Sequence, residues 1–493
     1  MINLKKITAL ALSIAMACTV VSSAAFAVEI QSQQQEMSFS DDYLESVRKL
    51  IKQKYSGTIS DEDLNKPTVE EMFDNLDKYS IFYSQREFDA FMDSIGGEVH
   101  GVGISVEQIG DYVTITNVFD GSPAQKAGLQ KGDKITKVAG ISVVKTKLDD
   151  VIARIQGDVN TKVKLGVLRQ DEKNEIILEV TRARVDIPSV SYEKRGDIGY
   201  ILLDLFSANA YSGVKEALDY FDSKKVTKVV LDLRNNPGGI LDQAVDIGKL
   251  FVPKGLITKL DFKDENMKDE EYYSSLKSIK YKLAVLVNEN SASASEILTG
   301  AIKDTNAGVI VGSKTFGKAK VQSFVPILSP EAFERLNEGS DDKTVNASFF
   351  PDAFESDLLG WAKMTMGMYY TPKGECIDLK GIEPDINVKE AEDIRVNEIR
   401  PLNVAIKPTI ETKCNDVYNA ECILKLLKYD VDKPDNILDK KTFLAIAKFQ
   451  KDNKVYGYGV LDFCTQNLLN EKLDKLLETQ DAVYLKAIEM LKN

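Results

Sequence analysis

The spacing of apolar residues divides the chain into segments with different secondary structure. Between Asp41 and Ile95, apolar side chains recur at intervals of three and four residues, which predicts helices. Gly96 and Gly97 interrupt that pattern. Short alternating runs with two brief helical patterns follow as far as residue 184, and this mixture predicts a compact α+β domain.

From about Ser189 the pattern changes to longer elements in which strands and helices alternate. The predicted elements, in chain order, are Gly199–Phe206, Ala208–Ser223, Val226–Leu233, Leu241–Phe251, Leu283–Val287, Ala294–Asp304 and Val309–Val311. Because strands that alternate with helices form parallel sheets, we expect an α/β core whose sheet is largely parallel and covered by helices. The acidic, irregular stretch Leu328–Leu359 breaks this alternation and is interpreted as an insertion.

After Pro384 a charged linker leads to three short helical patterns and a final amphipathic helix. The whole chain is therefore predicted to be a multidomain α/β protein. Its expected parts are a leader at 1–27, a helical module at 28–95, the α+β domain at 96–184, the α/β core at 185–392 with an insertion at 328–359, a linker at 393–412, a helical domain at 413–472 and a C-terminal helix at 473–493.

The first 27 residues have the pattern of an export signal. Lys5 and Lys6 precede the uncharged apolar stretch Ile7–Val21, and Ala25-Phe26-Ala27 is a small-x-small cleavage site. A retained membrane anchor and lipidation at Cys18 remain alternatives. The pattern predicts an exported protein, located outside the cytoplasm in the cell envelope or secreted.

Composition excludes several classes of function. The formal net charge of −13 makes nucleic acid a poor partner, because phosphate binding requires a basic face. His100 is the single histidine, so a multi-histidine metal site is excluded, and we expect neither metal nor other cofactor. Behind the leader, four cysteines without CxxC spacing leave two interpretations open: free thiols, or a bridge from Cys464 to Cys414 or Cys422.

Ser293 lies where a predicted strand gives way to a predicted helix. A hydroxyl at such a junction is exposed to the unpaired N–H groups of the helix start, which can stabilise an oxyanion. Ser293 and Glu296 also fit the S-x-x-E capping box of an ordinary helix start. The position therefore supports either a nucleophile or a cap.

A serine nucleophile requires a base, and Lys318 is a candidate in a chain almost without histidine. A lysine can serve if burial lowers the pKa of its amine from about 10.4 towards neutrality. The neighbours Phe316, Val321 and Phe324 make such a site plausible. In an extended segment Gln322 would lie on the same face as Lys318 and could hold the amine. The alternative is a solvated surface lysine.

Two glycine-containing loops could bind a peptide. The turn Asn235–Gly239 follows an apolar strand, and its glycines allow close approach to a substrate carbonyl. The loop from His100 to Val106 leads into a strand and could bind a terminal carboxylate, with the peptide adding as a further strand. Ordinary turns are the alternative for both.

These motifs, in this order, resemble the C-terminal processing peptidases, or tail-specific proteases, over residues 41–392. The loop at His100 and the run Ser122-Pro123-Ala124 to Gly132-Asp133 resemble the family's PDZ domain. The segments Leu231–Gly239, Ser291–Ile297 and Phe316–Gln322 resemble its glycine turn, nucleophile and general-base segments.

The resemblance implies a serine-type endopeptidase with a ClpP/crotonase-like core and a Ser–Lys dyad. It implies that Ser293 is the nucleophile, Lys318 the base and Gln322 its support. The implied oxyanion hole consists of Gly238, Gly239 and Ala294. The residues implied to bind the substrate carboxylate are Val102, Gly103 and Ile104. Substrates with free C-termini, gating by the PDZ domain and a homodimer are further expectations. Residues 413–472 resemble a peptidoglycan-binding domain, which suggests peptidoglycan as a partner, or else a helical dimerisation module.

Two other functions fit parts of this pattern. The chain could be an inactive adaptor that uses a protease scaffold to bind peptides and the cell wall. A crotonase-like core could also belong to an acyl-CoA enzyme, although export and the PDZ-like segment weigh against that function.

Overall fold

The computed structural model describes the backbone of residues 14–16, and residues 39–170, 172–391 and 393–492. Of the leader expected at 1–27, only the strand Ile14–Met16 lies within them, and the expected cleavage site lies outside the described residues. The chain divides into two compact units. One contains the residues up to Gly97, Pro188–Val388 and the residues from Lys486, and the other contains Glu98–Ile187 and Lys389–Leu485.

The described strands and helices are numbered in chain order. The strands are β1 Ile14–Met16, β2 Ile81–Ser84, β3 Glu98–Gly101, β4 Ile104–Ile109, β5 Tyr112–Val118, β6 Lys134–Val138, β7 Ile141–Ser142, β8 Lys162–Leu168, β9 Ile176–Thr181, β10 Ala183–Asp186, β11 Val190–Arg195, β12 Ile198–Leu203, β13 Lys228–Asp232, β14 Gly238–Ile240, β15 Gly255–Phe262, β16 Glu270–Ser274, β17 Lys282–Val287, β18 Val309–Gly312, β19 Lys320–Leu328, β20 Leu358–Tyr370 and β21 Ile386–Asn387. The helices are α1 Asp41–Lys54, α2 Asp61–Leu64, α3 Val69–Asp74, α4 Gln85–Gly96, α5 Pro123–Ala127, α6 Leu148–Ile155, α7 Ala210–Ser223, α8 Leu241–Phe251, α9 Ala294–Asp304, α10 Pro330–Leu336, α11 Asn415–Leu426, α12 Lys440–Asp452, α13 Phe463–Gln480 and α14 Ala482–Lys492, with short 3-10 turns at Ala347–Phe349, Glu355–Asp357 and Val396–Glu398.

A largely parallel sheet in the first unit carries the segment of Ser293, the predicted nucleophile. Its strand order is β11-β12-β13-β17-β18-β21, with β11 antiparallel and the others parallel. Strand β17 is apolar and buried from Leu283 to Val287, as expected for a strand with both faces covered. Helix α9 begins seven residues after β17 ends, so Ser293 lies at the carboxyl edge of this sheet.

A second sheet of the same unit, which the sequence pattern does not predict, carries the segment that follows Lys318, the predicted general base. It contains β14, β1, β19, β20, β15 and β16, with β2 paired to β20. Strand β19 pairs antiparallel with the thirteen-residue strand β20. The segment between them contains helix α10 and two 3-10 turns. The predicted insertion therefore connects two neighbouring strands of this sheet.

The second unit contains a small antiparallel sheet and a group of helices. The sheet has the order β4-β5-β6-β8-β9, with β7 paired to β6, and it surrounds its own apolar core. Helices α11, α12 and α13 enclose another core in the same unit. The Glu107 carboxylate accepts a hydrogen bond from the Asn415 N–H at 2.7 Å, so the two parts are in direct contact.

The C-terminal end differs from the single helix expected at 473–493. Helix α13 continues through that boundary to Gln480, and α14 begins at Ala482. Asp481 separates them because its carboxylate accepts a hydrogen bond from the Tyr484 N–H at 3.0 Å, as an N-cap does.

The four described cysteines are free thiols, so neither bridge considered from the sequence is formed. Burial raises the pKa of Cys414 to about 12, which keeps this thiol protonated and unreactive. Within the described ranges, no helix combines the length and apolar character needed to span a bilayer.

Candidate active site

Ser293 has an unusual backbone conformation directly before helix α9. Its φ of 61° and ψ of −116° place a non-glycine residue in a region that costs about 1–3 kcal/mol. The side chain is fully buried, and its Oγ has no hydrogen-bond partner among the described residues. The capping box is therefore only half formed, since the Ser293 N–H donates to Glu296 while the hydroxyl does not cap the helix.

The buried carboxylate of Glu296 connects the segments of Ser293 and Lys318, the predicted nucleophile and base. One oxygen accepts from the N–H groups of Ser293 and Lys318, both at 2.9 Å. The other accepts from the Gly317 N–H at 2.7 Å and the Thr315 hydroxyl at 2.6 Å. Burial raises the pKa of Glu296, and the four donated hydrogen bonds oppose that rise. One side chain thus fixes the backbone of both proposed reacting residues.

Tyr369 on β20 makes a second connection between the same two segments. Its hydroxyl donates to the Lys318 carbonyl at 2.5 Å and lies 3.2 Å from the Ser293 carbonyl. Burial raises the pKa of Tyr369 well above its usual value, so the hydroxyl remains a donor.

Lys318 is fully buried, and its amine contacts an aromatic residue that the sequence analysis did not name. Phe316 is 46% exposed, whereas the Lys318 Nζ lies 4.6 Å from the centre of the Tyr79 ring. An aromatic residue of the N-terminal module is therefore in contact with the amine.

Lys320, two residues after Lys318, has a carboxylate as its partner. Its ammonium lies 2.9 Å from the Asp77 carboxylate. Burial lowers the pKa of Lys320, but the hydrogen bond and charge of Asp77 outweigh burial, so the pKa is raised overall. Lys320 is consequently held in the protonated form, which cannot accept a proton.

Gln322 is buried on β19, and the hydrogen bonds of its amide nitrogen fix the orientation of the side chain. Its Nε2 donates to the Lys320 carbonyl at 3.2 Å and to the Thr365 hydroxyl at 3.3 Å. The Thr365 hydroxyl in turn donates to Asp77 at 2.9 Å. With its nitrogen engaged in this way, the amide oxygen of Gln322 is the atom that can accept from an amine.

The glycine turn is attached to the nucleophile segment through Asn236. The Asn236 carbonyl accepts from the Ala292 N–H at 3.1 Å and from the Ser295 hydroxyl at 2.9 Å. The Asn236 side chain accepts from the Gly238 N–H at 2.9 Å. A side chain at Gly239 would lie 2.4 Å from the Phe206 carbonyl oxygen, so only glycine fits there.

The predicted carboxylate-binding residues lie in the other unit of the chain. Gly103 has a φ of 82°, and a Cβ there would lie 2.4 Å from the Ser122 Cβ. Ile104 begins β4, which pairs only with β5 in its sheet and is therefore an edge strand among the described residues. Val102 is buried beside them, while His100 lies on β3 in this unit and not in the unit that contains Ser293.

Four residues of the site were not identified from the sequence: Asn236, Glu296, Tyr369 and Tyr79. The spacing of Ser293 and Glu296 predicts, for Glu296, no role beyond a capping box. Asn236 stands within the predicted turn, yet its role depends on contacts with a different segment. Tyr79 comes from a helical module whose position no local pattern reveals.

Two family models match parts of this chain. The family model described as peptidase family S41 matches residues 197–388, and a PDZ domain model matches residues 114–169. A "Probable CtpA-like serine protease" from Staphylococcus aureus (strain bovine RF122 / ET3-1) is 31% identical over 452 residues, covering 91% of this chain and 84% of the relative. A protein of the same name from Staphylococcus epidermidis is also 31% identical over 452 residues, covering 91% of this chain and 85% of the relative.

Among solved structures, a photosystem II D1 C-terminal processing protease is 26% identical. The match covers 70% of this chain and 92% of that chain, with a TM-score of 0.40. The identity and coverage of the two staphylococcal relatives show that the chain belongs to the CtpA-like serine-type peptidases of family S41.

Proposed function

We propose that the chain is an exported serine endopeptidase that uses Ser293 as nucleophile and Lys318 as base, on a ClpP/crotonase-like core. The Glu296 carboxylate carries this proposal, because it accepts hydrogen bonds from the backbone N–H groups of both residues. The strained backbone of Ser293 adds support, since strain of this kind concentrates at functional sites.

In the proposed reaction, Ser293 Oγ attacks the peptide carbonyl carbon while its proton passes to the neutral amine of Lys318. The C–N bond then breaks, and the departing amine takes the proton from Lys318. Water, deprotonated by Lys318, attacks the resulting ester, and the proton returns to Ser293 Oγ. No metal or nucleotide takes part in these steps.

Burial is what makes Lys318 suitable as the base. The Tyr79 ring face favours the ammonium form by about 0.5–2 kcal/mol. Full burial opposes this effect, because a charged amine loses its hydration when it is buried. The proposal requires that desolvation outweighs the ring contact, so that the amine is neutral and Gln322 can orient it through the amide oxygen.

The oxyanion hole is proposed to combine the N–H of Ala294 with that of Gly239. Ala294 is the first residue of α9, where backbone N–H groups have no partner within the helix. The Gly238 N–H already donates to Asn236, which leaves Gly239 as the better candidate of the two glycines.

The PDZ domain is proposed to bind substrate C-termini and to gate turnover. An extended tail can add to the edge strand β4, with its carboxylate near Val102, Gly103 and Ile104. Proteins with free C-termini are therefore the proposed substrates, and a homodimer is the expected assembly.

The function can be tested with two peptides that differ only in having a free or an amidated C-terminus. We expect kcat/KM to be about tenfold lower for the amide, because the carboxylate contacts are lost. Gly103→Ala should remove this difference, since its Cβ would enter the space of Ser122. The matched control is Gly140→Ala, which has the same φ of 82° but no atom within 4 Å of the new Cβ.

The same experiment separates the peptidase from an inactive adaptor. Binding of the free-tail peptide without cleavage, under every condition, would favour the adaptor. Equal cleavage of both peptides would contradict tail recognition but leave the Ser–Lys mechanism standing.

Residues 413–472 are proposed to bind peptidoglycan. Tyr456 is 82% exposed, and its ring centre lies 5.8 Å from that of Tyr458, which gives an exposed aromatic surface. A tyrosine side chain combines an apolar ring with a polar hydroxyl group, which suits binding to a hydrated polymer.

In a sedimentation assay with purified peptidoglycan, Tyr456→Ala with Tyr458→Ala should lower the bound fraction of the full chain by about fivefold or more. Tyr273→Ala, which removes a 55% exposed tyrosine of the first unit, is the control. Equal sedimentation of all three proteins would contradict the proposal and favour a dimerisation module.

A further inference from the structure

We infer that Ile240, Met92 and Phe324 form an apolar subsite that selects a large apolar side chain on the acyl side of the scissile bond. This inference rests on the proposed peptidase function and specifies its substrate class. The three residues come from β14, α4 and β19.

Helix α4 presents an apolar face that is only partly covered. Phe88, Phe91, Met92 and Ile95 recur at helical spacing, but only Ile95 is fully buried. Ile95 and Ile240 form a small cluster against which Phe91, Met92 and Phe324 pack. This cluster is separate from the large core of the same unit, and its outer members retain accessible surface.

The cluster lies directly beside the proposed catalytic groups. Ile240 follows Gly239, the proposed oxyanion donor. Phe324 lies two residues beyond Gln322 on β19, so both side chains are on the same face of that strand. The Phe324 ring is fixed by edge or tilted contacts with Phe88 and Phe91, at centroid distances of 5.1 and 5.5 Å.

An extended peptide backbone fits between β14 and β19. The short strand β1 pairs antiparallel with β14, with Ile14 opposite Ile240, Ala15 opposite Gly239 and Met16 opposite Gly238. Ile14 is also opposite Gln322 of β19. The two strands therefore leave a space one strand wide, and main-chain hydrogen bonds can hold a substrate there.

The direction of that pairing places the subsite relative to the scissile bond. In an antiparallel peptide, the residue opposite Ile240 precedes the residue opposite Gly239. If the scissile carbonyl is held at Gly239, the residue opposite Ile240 belongs to the acyl half of the substrate. Its side chain then meets the apolar wall, where a charged group would be desolvated without a partner.

Internally quenched peptides test the subsite. They differ only at the residue that lies opposite Ile240, directly before the residue opposite Gly239, and they carry Leu, Phe, Ala or Glu there. For the wild type, kcat/KM should be at least about 100-fold higher for Leu than for Glu, and about tenfold higher for Leu than for Ala. Met92→Lys should reduce the Leu-to-Glu ratio by at least about tenfold, because the new ammonium can pair with the glutamate. Ala90→Lys introduces the same charge at an exposed position of α4 and should keep the wild-type ratio.

A second variant keeps the test decisive if Met92→Lys does not fold. Met92→Ala enlarges the subsite and should raise the Phe-to-Leu ratio by about fivefold or more. Unchanged ratios in the folded variants would overturn the subsite. Cleavage that persists in Ser293→Ala would instead overturn the proposed function, so the two failures are distinguishable.

Discussion

Lys318→Ala is expected to lower kcat/KM for β-casein by at least about 10³-fold while the protein remains folded. The variant removes the proposed proton acceptor but leaves Ser293 and the oxyanion donors in place. Lys318→Arg should not restore turnover, because a guanidinium remains protonated in a protein. Initial cleavage rates, together with circular dichroism spectra of each variant, provide the measurement.

Lys320→Ala is the matched control for this prediction. It removes a lysine two residues away whose ion pair with Asp77 keeps it protonated. Since Lys320 cannot be the base, its loss should cost less than about tenfold in kcat/KM. Equal losses in the two variants would mean that this segment needs its lysines for folding and not for proton transfer.

Glu296→Gln is expected to lower kcat about 100-fold with little change in KM. The carboxylate accepts four hydrogen bonds, and an amide nitrogen in place of one oxygen would face two donors. The backbones of Ser293 and Lys318 would then shift relative to each other, and a displacement of about 1 Å can cost about 100-fold in rate. Leaving buried donors unsatisfied should also lower the free energy of unfolding by about 1–3 kcal/mol.

A buried glutamate in the other unit separates the positioning effect from general destabilisation. Glu421 accepts from the Thr442 hydroxyl at 2.5 Å and from the Asp435 N–H at 2.9 Å. Glu421→Gln should therefore lower stability to a similar extent without lowering kcat. If Glu296→Gln lost stability but kept the wild-type kcat, its proposed positioning role would be wrong.

Much of the parallel part of the fold could be predicted from the sequence. Helices Leu241–Phe251 and Ala294–Asp304 have the predicted bounds, because each follows a continuous apolar strand and a turn. The sheet that contains β19 and β20 could not be predicted from the sequence. These two strands pair with each other although a long irregular segment separates them along the chain. The break at Asp481 was also missed, because the apolar pattern continues through it.

The sequence predicts which residues could react in the proposed site. It does not predict the hydrogen bonds and ring contacts that hold them in place. Ser293 and Lys318 could be singled out because the chain has almost no histidine and each lies in a recognisable segment. Glu296 was seen only as a local cap, since nothing in its spacing shows that it also binds the segment 315–318. Tyr79 precedes Lys318 by more than two hundred residues, and only the folded chain brings its ring to the amine.

A covalent intermediate on Ser293 tests the central claim most directly. β-Casein is mixed with the enzyme, the reaction is quenched in acid within the first turnover, and the digested enzyme is analysed by mass spectrometry. The account predicts an acylated peptide that contains Ser293, with neither adduct nor cleavage in Ser293→Ala. Cleavage of β-casein by Ser293→Ala at the wild-type rate would contradict the account.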